Sequence, residues 1–63
     1  MSPRDKIAWR VWQGLISHEF GLYLMGRTLA DDDLYPRTAW GAILALADAT
    51  RRVRDRASSK AAP

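Results

Sequence analysis

The chain has 63 residues, enough for one small domain, and no cysteine, so disulfides and thiolate metal sites are excluded. Its single histidine leaves no cluster of zinc-ligand type, and a hydrophobic share of 48% marks a folding chain rather than a disordered one. A formal charge of +3, from ten basic and seven acidic side chains, permits contact with nucleic acid without demanding it.

Below roughly 70–80 residues a single core seldom supplies more than about 3–5 kcal/mol. Small domains make up the deficit with disulfides, a metal or oligomerisation, and only the last stays open here. Arginine outnumbers lysine, alanine is frequent and asparagine is absent. That usage suits a GC-rich genome, such as that of an actinobacterium or its phages.

The first element is a helix expected from Pro3 to Met25. Ser2 can cap it, Pro3 fits the first turn because its missing N–H costs nothing there, and Asp5 stands at the capping-box position. Ile7, Val11, Leu15 and Leu22 share one side, with Ala8, Trp12 and Tyr23 beside them. Trp9, Ile16 and Phe20 carry the apolar arc further round, leaving Lys6, Arg10, Gln13 and Ser17 as a narrow polar strip. A helix apolar over more than half its circumference is covered from two directions, which one hairpin partner cannot do.

Gly14 and Gly21 each disfavour a helix interior by about 1 kcal/mol relative to alanine. They read as tolerated helix glycines, with Gly21 marking a kink or break. The alternative is a close helix–helix crossing. Gly26, followed by Arg27, reads as the C-terminal stop.

Residues 26–35 form the connection. Thr28 can cap a short third helical turn through Asp31; otherwise the segment is a loop held by Leu29, Leu34 and Tyr35. Asp31, Asp32 and Asp33 lack the alternate ligands and loop glycine of a calcium site, and complement the following helix N-terminus instead.

The second helix is expected from Pro36 to Arg56. Ala39, Trp40, Ile43, Leu46, Ala47, Thr50 and Val53 form its stripe, with Leu44 at the edge. Arg37, Asp48, Arg52, Asp55 and Arg56 lie opposite. Asp48 and Arg52 make an i,i+4 pair, with Asp48–Arg51 as the i,i+3 alternative. Residues 58–63 read as a flexible tail after a single helical domain spanning 1–57.

Few chemistries fit these residues. Glu19 and His18 lie on the apolar arc, but as sequence neighbours they point about 100° apart on a helix. No nucleophile accompanies them. Glu19 reads as the acceptor of a tryptophan N–H or the partner of an arginine, and His18 as an interface rim. No catalytic, cofactor or metal residue is expected. Val11 to Met25 is the most apolar stretch, yet Gln13, His18 and Glu19 keep it short of the ~20 apolar residues of a membrane span. No cleavage pattern follows Met1 to Ile16, so the expected location is cytoplasmic.

The expected fold is all-α: an antiparallel two-helix hairpin whose copies pair into a four-helix bundle. Trp9, Trp12, Ile16, Glu19, Phe20 and Tyr23 form the expected self-interface or partner interface. The expected function is non-enzymatic protein–protein interaction, as a small accessory or regulatory protein of a bacterium or phage, either a homodimer or docked on a host protein. The alternative is a small basic nucleic-acid-binding regulator contacting phosphates through Arg51, Arg52, Arg54 and Arg56.

Overall fold

The apolar pattern that runs from Pro3 to Met25 does not make one helix. A computed structural model, which describes residues 2–29, 36 and 38–61, divides it into α1 (Pro3–Trp12) and α2 (His18–Thr28). The third helix, α3, is Ala39–Ala61, and the described residues are all-helical, without a strand. The expected two-helix hairpin is thus corrected to three helices.

The break is built from local chemistry. Ser2 caps α1, its side chain accepting the Asp5 N–H at 3.3 Å. At the other end Gly14 takes φ +77°, a left-handed conformation that costs other residues about 1–2 kcal/mol. The Gly14 N–H donates to the Val11 carbonyl at 3.0 Å and the Leu15 N–H to the Arg10 carbonyl at 2.9 Å. These two bonds are a Schellman stop. Ser17 then restarts the helix by accepting the Phe20 N–H at 3.0 Å. Gly26 stops nothing: α2 runs through it to Thr28, since it lacks the positive φ that Gly14 adopts.

The other boundaries shift for similar reasons. Thr28 ends α2 instead of starting a new turn, and its hydroxyl donates to the Leu24 carbonyl at 3.0 Å. The rest of the expected third turn, residues 30–35, lies outside the described residues. The last helix begins at Ala39 rather than Pro36, because Thr38 Oγ1 accepts the Gly41 N–H at 3.1 Å in the manner of a cap. It continues past Arg56 to Ala61, as no glycine or proline interrupts Ala57 to Ala61. Of the expected tail, only the last two residues fall outside the description.

All three helices pack on one another. The 23 residues of α3 span about 34 Å at 1.5 Å per residue, which accounts for most of the 40 Å long axis. The core joins Ile7 and Ala8 of α1, Met25 and Leu29 at the end of α2, and Ala42, Ala45, Leu46, Ala49 and Val53 of α3. Those α3 positions recur at i, i+3, i+4, i+7 and i+11, one helical stripe. It is rotated from the expected stripe: Leu46 and Val53 are common to both, but Ala39, Trp40, Ile43 and Ala47 are exposed. Three alanines face the neighbouring helices, and small side chains let backbones approach closely.

Gly21 contributes to the same closeness. It is buried, and a Cβ there would run into Val11 Cγ2 with Leu46 Cδ2 at 3.8 Å. The close-crossing reading therefore holds at Gly21, and the break belongs to Gly14. A polar contact ties α1 to α3: Arg52 donates to buried Asp5 at 3.2 Å, across 47 residues. Asp48 also pairs with Arg52, and with Arg51 at 3.0 Å, so the i,i+4 and i,i+3 pairs both form.

Candidate interaction surface

The largest apolar side chains are on the outside. Trp9, Trp12, Phe20, Tyr23 and Trp40 are 36%, 40%, 48%, 56% and 63% exposed, whereas the largest fully buried side chains are Met25, Leu29 and Val53. Leu15, Ile43 and Leu44 are exposed as well. Aromatic side chains carry about 150–250 Å² each. Summed over separate places on the three helices, these exposures amount to roughly several hundred Å² of apolar area.

The secondary structure dictates where each ring stands. On α1, Trp9 and Trp12 are three residues apart and meet edge to face, with centroids 5.5 Å apart and planes at 62°. On α2, Phe20 and Tyr23 repeat that spacing and stack at 6.0 Å with planes at 24°. Arg27, one turn on, donates to the Tyr23 hydroxyl at 3.4 Å and lies 5.9 Å from the ring centroid. Four of the six expected interface residues thus form two ring pairs on separate helices. Ile16 is half-buried in the turn between them.

Glu19 and His18 both sit in the first turn of α2 and are exposed. The expected bond from Glu19 to a tryptophan or an arginine is not made among the described residues. Its carboxylate instead stands where the helix dipole favours negative charge. Among the described residues no group of three or more His, Asp or Glu side chains lies together as metal ligands would.

Two open grooves join these pieces along α3. In one, Val11, Trp12 and His18 form a wall over Ile43, Leu46 and Ala47, and Arg51 and Arg54 close the end. In the other, Leu22, Tyr23 and Arg27 face Thr38, Ala39 and Ala42. Ile43 lines both, so the two grooves adjoin at that residue and form a seam along α3, walled by α2 and, at the Arg51 end, by Val11 and Trp12 of α1. The sequence reading missed Trp40, Ile43 and Leu44 as surface residues, having assigned them to the core or its edge. The available signal was the competing stripe of Ala42, Ala45 and Ala49.

The four arginines of the expected nucleic-acid contact are all exposed, but they do different things. Arg52 turns to Asp5 and Asp48. Burial alone pulls its pKa down, yet the hydrogen bond to Asp5 and the charges of Asp48 and Asp5 outweigh this and leave it raised. A raised cationic pKa means that the fold favours the charged form of the Arg52 guanidinium over the neutral one. Arg51 shares Asp48, whereas Arg54 makes no ion pair among the described residues. Arg56 is exposed beside Asp55 in sequence.

Among the described residues no helix is long and apolar enough to cross a membrane. Comparison with protein-family models, with curated proteins and with solved structures finds no match to any of them.

Proposed function

We propose that the chain is a non-enzymatic protein–protein interaction module, binding through its outer aromatic surface as a homo-oligomer or docked on a different protein. One observation carries this reading. The five described aromatics stand outside a core whose α3 contribution is mostly alanine. Tryptophan and tyrosine dominate binding energy once desolvated, and a folding core has first use for them unless a partner surface does. A small regulatory protein working in a bacterial or phage-infected cytoplasm fits the composition and the absence of any catalytic constellation in the sequence.

A self-interface on α1 and α2 would use Trp9, Trp12, Phe20 and Tyr23. Light scattering across a dilution series of the intact chain tests it. A molar mass that falls toward the monomer on dilution, and falls further for Trp9→Ser and Phe20→Ser with unchanged circular dichroism, supports self-association through that face. A chain that is monomeric throughout, and that unfolds when either ring is replaced, refutes an interaction role for the rings: they would be structural.

The nucleic-acid alternative rests on Arg51, Arg54 and Arg56, three exposed cations on the last turns of α3. Asp48 and Asp55 dilute their field, and Arg52 is committed to intramolecular pairs. Phosphate binding predicts an affinity that drops steeply with salt, whereas an apolar interface responds weakly.

A further inference from the structure

We propose that the seam along α3 receives an acidic amphipathic helix of a different protein, its apolar stripe on Ile43 and its carboxylates on Arg27, Arg51 and Arg54. This rests on the interaction-module reading and names the partner's chemistry. The seam is a groove between helices, the geometry into which a further helix lays an apolar face. From Thr38 to Arg54 it follows α3 for about 24 Å at 1.5 Å per residue, the length of roughly four helical turns.

Charge selects the occupant. Both ends of the seam are basic, with Arg27 at one and Arg51 with Arg54 at the other, and His18 stands on the wall. Among the described residues no aspartate or glutamate lines it. Arg54 has no ion pair among the described residues, and the Arg51 side chain is 66% exposed while it holds Asp48. These guanidiniums are placed to receive carboxylates without losing their existing contacts.

A second copy of this chain does not suit the seam. A two-fold axis lays the same surface against itself. With the seams parallel, Arg51 and Arg54 meet their own copies; with the seams antiparallel, they meet Arg27. Either way cations oppose cations across an apolar floor, a repulsion that disfavours that pairing. Duplex nucleic acid offers the right sign but nothing for Ile43 and Ala47 to bury.

The test uses the intact chain and two synthetic 16-residue helical peptides with one leucine stripe, flanked by glutamates in one and by lysines in the other. Titration is followed by tryptophan fluorescence and amide chemical shifts. The glutamate peptide is expected to bind at least about tenfold more tightly than the lysine peptide, a difference of about 1.4 kcal/mol. Arg51→Glu with Arg54→Glu should reverse that preference, and Ile43→Ser or Ala47→Gln, both at exposed positions, should weaken both peptides.

Three results overturn the proposal, and they differ in what they leave standing. Equal binding of both peptides, sensitive to Ile43→Ser, keeps the interaction module and removes its acidic partner. Binding of neither peptide, with a dilution-dependent molar mass, leaves only a self-interface elsewhere on the surface. Tight binding of a 20-base-pair DNA duplex that Ile43→Ser leaves unchanged and Arg51→Glu with Arg54→Glu abolishes replaces both readings with nucleic-acid recognition.

Discussion

The two faces of α3 are made of similar ingredients and treated in opposite ways. The inner face buries Ala42, Ala45, Leu46, Ala49 and Val53; the outer face carries Trp40, Ile43, Leu44 and Ala47 in contact with solvent. Hydrophobicity alone does not choose between them, and by side-chain size the outer face is the better core. What chooses is fit. The alanines let α1 and α2 close on α3, and Gly21 lets α2 approach Val11, an arrangement that Trp40 or Ile43 would hold apart.

This contrast breaks most readily at the inner face. Met25 is fully buried, and Met25→Ala should cost about 2–5 kcal/mol. In so small a domain that approaches the entire stability, so urea denaturation should find the variant largely unfolded. Next comes a matched pair. Ala49→Leu overpacks a fully buried site and should cost about 1–3 kcal/mol, whereas Ala47→Leu, two residues away on the outer face, should stay within about 0.5 kcal/mol. Equal effects from the two would erase the distinction between the faces.

The turn that aims α1 at α3 gives a smaller effect. A Cβ at Gly14 meets nothing within 4 Å, so Gly14→Ala strains only the backbone, and about 1–2 kcal/mol is expected from thermal unfolding. Ser17→Ala, which removes the cap of α2, should cost about 1 kcal/mol.

The helical character, the Ser2 cap, the surplus of apolar surface before Met25 and the Asp48 pairs with Arg51 and Arg52 were all legible in the sequence. These depend on residues within a turn or so of one another. The break at Gly14 was legible too, since a glycine followed by Ser17-His18-Glu19 is a stop and a start, but the unbroken apolar period across it outweighed that signal. The rotation of α3 was not available from periodicity. Two overlapping stripes compete there, and only the approach of α1 and α2 decides between them. The Asp5–Arg52 bridge joins residues 47 apart and needed the tertiary fold.

The central claim is that the outer aromatics serve binding rather than folding. Its most direct test is the urea midpoint of the Tyr23→Gln/Trp40→Gln double variant beside the wild type, by circular dichroism at low and tenfold higher protein concentration. Both residues are more than half exposed, and glutamine is at least as good a helix former as either ring. An interaction surface predicts stabilities within about 1 kcal/mol at the lower concentration, with any wild-type advantage growing only as concentration rises. A double variant that unfolds at the lower concentration would contradict it, because the rings would then be holding the monomer together.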